Sequence, residues 1–215
     1  MFDAAALDFA IAAFFTLFVV VDPIGLAPIF IATTAGATEA QRRRIAVGAL
    51  TIGAVLLTLF GLAGRTILEK IGIGLPAFRI SGGIMLFIIA LEMLFEKRNP
   101  RRSKTAEDSM AETLERDPTV FPLATPLIAG PGAMASMILL TAGAQTTAEE
   151  VSVYICLALV LLLCLILFFA AGLFERLLGP TGINLVTRLL GVLLGALAVQ
   201  FVLDGLADFG FVARG

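Results

Sequence analysis

Asp22-Pro23-Ile24-Gly25-Leu26-Ala27-Pro28 and Thr125-Pro126-Leu127-Ile128-Ala129-Gly130-Pro131 are two versions of one motif, each set inside a strongly apolar stretch. Both put two prolines five positions apart, with glycine close by, where a membrane helix would otherwise run unbroken. Proline lacks the backbone donor and its ring clashes with the carbonyl one turn back, so each segment is expected to kink or break there. Backbone groups freed at membrane depth persist only where protein or a polar cavity satisfies them. Two such interruptions in corresponding halves of a chain point to a transporter's binding site.

Outward from the motifs, six segments are apolar over the ~20 residues needed to cross ~30 Å of hydrocarbon. They are Phe9–Thr33, Ile45–Gly64, Leu75–Phe95, Val120–Leu140, Val151–Leu173 and Ile183–Leu206. The chain is 59% hydrophobic and 15% charged, with a mean hydropathy of +1.01. A soluble domain sits nearer 45–50% apolar and about 25% charged. The net charge of −2 says little, because in a membrane protein the placement of charge matters more than its total. Met1 to Asp8 has two aspartates and no basic region, unlike a signal peptide. Cys156 and Cys164 are eight residues apart on one helix face, ~12 Å along the axis. They read as small apolar residues and not as a disulfide.

The halves match beyond the prolines. Thr34-Ala35-Gly36-Ala37 is echoed by Thr141-Ala142-Gly143-Ala144, and Thr38-x-x-Gln41 by Thr147-x-x-Glu150. Both of the latter have the form of a capping box, in which hydroxyl and acid or amide satisfy orphan amides. Glu69-Lys70-Ile71-Gly72 has its counterpart in Glu175-Arg176-Leu177-Leu178-Gly179, and Arg79-Ile80-Ser81-Gly82 in Arg188-Leu189-Leu190-Gly191. Three spans per repeat is an odd number, so the second half would enter the membrane inverted. The expected fold is all-α: a polytopic membrane protein of six transmembrane helices in a 3+3 inverted-topology repeat. Spans 1 and 4 would be broken at the Pro-x4-Pro motifs. Residues 1–95 would form the first repeat, 96–118 a charged cytoplasmic linker and 119–215 the second repeat.

The linker region has six basic and six acidic residues between Glu96 and Asp117. Together with Arg42, Arg43, Arg44 and Arg176 it makes one side of the membrane basic. Positive-inside counting then places both termini outside the cytoplasm. Several chemistries are disfavoured. There is no histidine to serve as metal ligand or general base. There is no Gly-x4-Gly-Lys-Ser/Thr phosphate loop, and no basic face suited to nucleic acid. No enzymatic activity and no cofactor are expected.

Asp22 is the acid nearest the middle of an apolar span. It fits an N-cap before Pro23, and an acid held away from water is also a candidate site for a coupling proton or cation. Its repeat partner, Thr125, caps but cannot titrate. Gly130-Pro131-Gly132-Ala133 is the better ligand site, since small residues admit a substrate to the backbone. A helix starting at Pro131 would aim its amides at a carboxylate, with Ser136 one turn on. Pro23, Gly25, Pro28 and Pro126 complete the candidate substrate walls. Tight helix packing would explain the same small residues. Arg79 with Asp204, and Glu92 with Arg188, lie at matching depths and are candidate gate pairs. Snorkelling of each arginine to its interface is the plainer alternative. Ser81-Gly82-Gly83 reads as a close helix crossing.

These motifs resemble the MarC family of bacterial and archaeal membrane proteins, also described as small neutral amino acid transporters. The resemblance spans essentially the whole chain. It is carried by Asp22-Pro23-Ile24-Gly25 with Pro28, Pro126-Leu127-Ile128-Ala129-Gly130-Pro131-Gly132, and Leu75-Pro76-Ala77-Phe78-Arg79-Ile80-Ser81-Gly82-Gly83. It implies transport of glycine and alanine across the cytoplasmic (inner) membrane, driven by a proton or sodium gradient. The expected partners are therefore a small neutral amino acid, a proton or sodium ion and the lipid bilayer. Glycine-rich faces would also permit a homo-oligomer. The family is similar in broad plan to amino-acid exporters of the lysine-exporter type. Two other readings stay open: a non-transporting envelope scaffold, and a passive channel or exporter for another small solute.

Overall fold

A computed structural model describes residues 4–95, 123–124 and 127–210. Over these residues the chain is helical, and five helices are long and apolar enough to cross a membrane. The first span is two helices, α1 (Ala4–Val21) and α2 (Pro23–Thr33), joined at Asp22. Next come α3 (Glu39–Lys70) and α4 (Leu75–Leu94), then α5 (Pro131–Gly143), α6 (Thr147–Phe169) and α7 (Ala171–Asp208). α5, with 13 residues, is too short to cross alone. It is preceded by π-type turns at 123–124 and 127–128, where the Ala129 amide donates to the Ala124 carbonyl at 3.0 Å. The charged loop and Thr125-Pro126 lie outside the described residues.

Helix boundaries follow local chemistry. Thr38 opens α3 with the expected capping box: its hydroxyl accepts from the Gln41 amide, and the Gln41 carboxamide oxygen accepts from the Thr38 amide. The second box differs from the sequence expectation by one residue. Thr146 caps α6 by accepting from the Glu149 amide at 3.2 Å, while the Glu149 carboxylate accepts from the Gln145 amide. Two threonines followed by two glutamates offer two registers of the same box, and the chain takes the earlier one. Glycines with positive φ, Gly72 (79°) and Gly179 (63°), lie before α4 and within α7, and Gly179 bends α7 sharply.

Pro28 does not break its helix. α2 runs through it from Pro23 to Thr33. A proline one turn inside a helix removes a single backbone bond, which the flanking turns tolerate with a kink.

Two apolar clusters hold the helices together. The larger joins α1, α2, α3, α5 and α6 around Leu17, Leu57, Ile128, Met137 and Val160, all fully buried. Phe30 of α2 stacks on Phe168 of α6 with ring centroids 4.4 Å apart. The second cluster joins α4 and α7 through Leu86, Ala90, Leu194 and Ala198, and reaches α1 at Val19. The α4–α7 pairing is the most extensive in the molecule. It is close because of glycine: a β-carbon on Gly83 would lie 2.7 Å from the Ala198 carbonyl oxygen, and one on Gly191 would lie 2.9 Å from the Met93 β-carbon. Small residues serve this purpose in lipid, where helices associate by packing and gain nothing from burying apolar surface already out of water. The outward faces carry large apolar side chains such as Phe15, Leu62, Ile88, Leu159 and Ile166.

Candidate functional site

Asp22 lies between α1 and α2 with φ 51° and ψ 64°, and it is the one non-glycine residue with positive φ among the described residues. Left-handed backbone is costly for residues with a β-carbon, though aspartate tolerates it better than most. Here the cost is offset by hydrogen bonding. The Asp22 amide still donates to the Phe18 carbonyl, closing α1, and its own carbonyl accepts from Leu26, opening α2. Its carboxylate accepts from the Gly25 amide at 2.9 Å. One residue therefore ends a helix, redirects the chain and caps the next helix. Pro23 and Gly25 are buried just beyond it, and Pro28 is partly buried.

The second interruption is at Gly130. That residue is extended and precedes Pro131 at the first position of α5, and no side chain among the described residues caps the helix. Gly132 is buried at this start. A β-carbon there would meet Leu86 at 2.7 Å, Ile89 at 3.2 Å and Val20 at 3.7 Å. Val20 stands two residues before Asp22, so the end of α1 packs on the start of α5. Ala124, Ile128, Ala129 and Ala133 pack in one cluster with Val21 and Leu26. Ser136, on the Gly132 face of α5, is fully buried, and its hydroxyl has no hydrogen-bond partner among the described residues. Ser136 lies one turn beyond Gly132 on the same face of α5.

The charges at the ends of the α4–α7 seam differ in part from expectation. Arg79 bonds to Asp208 at 2.7 Å, with side chains 17% and 20% exposed, and not to Asp204. Asp204 instead accepts from Gln200 at 2.7 Å. α7 continues past the expected end of its span, and its last turn carries Asp208 onto the Arg79 side. Glu92 and Arg188 lie at the other end of the seam, beside the contact of Met93 with Gly191.

Sequence reasoning missed Asp208, for which the signal was a second acid one turn beyond Asp204. It also missed Leu86 and Ile89, which cover the start of α5 and look in the sequence like any other apolar residues. Thr34, noted only as part of the repeat, is buried and accepts from the Arg42 guanidinium at 3.2 Å. Its repeat counterpart Thr141 donates to the Gly61 carbonyl across the α3–α5 contact.

Residues 7–209 match the profile described as MarC family integral membrane protein. The chain belongs to the MarC family. Among its MarC-like relatives is a UPF0056 membrane protein of Aquifex aeolicus, 35% identical over 197 residues, which are 91% of each chain. The UPF0056 membrane protein YhcE of Escherichia coli is 37% identical over 194 residues, 90% of this chain and 89% of the relative. A UPF0056 membrane protein of Archaeoglobus fulgidus is 34% identical over 207 residues, 95% of each. No solved structure matches the chain. Membership in the MarC family, with several apolar helices, makes this a multi-pass integral membrane protein. Nothing in the described residues or in the names of the relatives points to catalysis, and the described residues contain no cluster of metal-ligating side chains.

Proposed function

We propose that this MarC protein is a secondary transporter of small neutral amino acids such as glycine and alanine, coupled to a proton or sodium gradient and working by alternating access. The observation that carries the reading is the pair of helix interruptions whose flanking residues pack into one buried cluster. One presents a carboxylate at Asp22. The other presents a helix start at Gly130–Gly132, uncapped among the described residues, with the buried Ser136 hydroxyl one turn further on the same face. An amino acid zwitterion has the complementary groups. Its carboxylate suits the α5 start, where free amides and the helix dipole favour negative charge. Its ammonium suits Asp22 and the carbonyls of the first interruption. Asp22 is then countercharge or acceptor for the coupling proton or ion.

The 3+3 inverted repeat belongs to this proposal. It is supported by the left-handed glycines Gly72 and Gly179 at matching positions. It is also supported by the packing, which keeps its pattern when the halves are exchanged. α1 and α2 pack on α6 as α5 packs on α3, and α4 meets α5 as α7 meets α2. In this reading both termini lie outside the cytoplasm, residues 96–118 link the repeats inside, and the address is the cytoplasmic membrane. Arg79 with Asp208 would hold one end of the α4–α7 seam, and the Glu92 and Arg188 region would hold the other.

The test is uptake of radiolabelled glycine and alanine into proteoliposomes, with and without a proton or sodium gradient. Accumulation above equilibrium is expected with one of the two gradients. Equilibration without accumulation would identify a passive facilitator, and no uptake would leave another solute or a scaffold role. Asp22→Asn is expected to fold and to lose gradient-driven accumulation. Unchanged accumulation in that variant would remove Asp22 from the coupling step.

A further inference from the structure

α3 and α4 are consecutive in the chain, yet each packs on α5 more than on the other. The gap between them is an apolar groove of about 240 Å³, walled by side chains such as Phe60 and Met85. Its floor is α5 itself: Pro131, Met134, Ala135 and Ile138. Gly64 and Gly82 also line it and put no side chain into the space. Both are small because α5 packs close against them: a β-carbon on Gly64 would collide with Ile138 and one on Gly82 would press on Ala135. The groove opens on the outer face of the bundle, where Phe60 and Met85 are 37% and 38% exposed, and it leaves Pro131 exposed as well. In an integral membrane protein that opening faces hydrocarbon.

A second observation lies at the end of α3. Lys70, its last residue, is three positions beyond Ile67 and so shares the face that lines the groove. Two other cations at this end are committed: Arg65 bonds to Glu69 at 2.9 Å and Arg79 to Asp208 at 2.7 Å. Lys70 is exposed and has no partner among the described residues.

We infer that the groove binds one acyl chain of an anionic phospholipid, with its phosphate held by Lys70. The apolar walls suit the tail, and a free ammonium at the mouth suits the headgroup. The groove is poorly suited to a small zwitterion, because Ser81 is its one hydroxyl. The tail would rest against the first turn of α5, so the lipid and the half-helix of the candidate site would be in contact.

The chain has no tryptophan, so one can be introduced as the only reporter of its kind. Phe60→Trp places it in the groove wall, and Leu159→Trp, on the exposed face of α6, samples bulk lipid. Each variant is reconstituted in phosphatidylcholine vesicles with a rising fraction of brominated phosphatidylglycerol, whose bromines quench indole fluorescence. The Phe60→Trp signal should be half-quenched at a phosphatidylglycerol fraction about fivefold lower than Leu159→Trp, the preference one lysine near an anionic headgroup gives. Adding Lys70→Gln should bring the two curves together. Parallel curves overturn the inference, as does indifference to Lys70→Gln or equal quenching of Phe60→Trp by brominated phosphatidylcholine. Met85→Trp reports from the opposite wall and replaces Phe60→Trp if that variant does not fold.

Discussion

Asp22 combines two roles that substitution can separate. Its backbone needs a residue that accepts left-handed φ, and its carboxylate caps α2 through the Gly25 amide. Asparagine satisfies both needs, so Asp22→Asn should melt within about 0.5 kcal/mol of the parent in detergent. Asp22→Ala loses the cap, at about 1 kcal/mol, and adds left-handed strain of about 1–2 kcal/mol. It should therefore be the less stable by about 2–3 kcal/mol. Equal melting of the two variants would show that the cap and the backbone conformation contribute little. The cap was legible in the sequence because aspartate before proline is a strong helix-start signal. The left-handed turn was not legible, since a residue before proline also opens helices from extended backbone, as Gly130 does before Pro131 here.

Among the elements, the cap of α6 gives a direct comparison. Thr146→Ala should cost about 1 kcal/mol in thermal stability, whereas Thr147→Ala, inside the first turn, should cost a few tenths at most. Equal losses would mean that both threonines share the cap. Repeated hydroxyl–acid spacing identified the helix start, but Thr146-Thr147 followed by Glu149-Glu150 could not fix its register. The α4–α7 seam makes a sterner demand. A methyl group on Gly83 meets the Ala198 carbonyl and the Val202 amide, and backbone cannot yield as a flexible side chain can. Gly83→Ala should destabilise by about 1–3 kcal/mol. Gly172→Ala, which meets nothing within 4 Å, should leave the melt unchanged. Ser81-Gly82-Gly83 was recognisable as a crossing site, but the sequence did not name its partners. In lipid the outer faces are apolar too, so periodicity marks no buried stripe.

At the scale of the molecule, the two apolar clusters divide the helices into a larger bundle and an α4–α7 layer, with α1 touching both. The number of spans and their grouping in threes were suggested by hydropathy and by the repeated motifs, whereas this division depends on long-range packing that hydropathy does not encode. Cysteine pairs can probe it in a Cys156→Ala, Cys164→Ala background. Within the layer, the Ala90 β-carbon lies 3.7 Å from where Gly195 would carry one, and between the bodies Gly82 and Ala135 stand at 3.3 Å by the same measure. Both separations are close to disulfide geometry. On the alternating-access proposal, oxidising the Ala90→Cys, Gly195→Cys pair should leave uptake intact, and oxidising the Gly82→Cys, Ala135→Cys pair should stop it. Arrest by the first pair alone would place the moving boundary inside α4–α7. α3 offers a way to follow such motion. Its charged ends continue the helix past the 20-residue apolar stretch from Ile45 to Gly64, so on the proposed topology one unbroken rod of 32 residues emerges on both faces of the membrane. Arg43 and Glu69, near its ends, are separated by about 39 Å of helix rise. Spectroscopic labels there would form an internal ruler, with an end accessible from either aqueous side, against which displacement of every other helix could be triangulated.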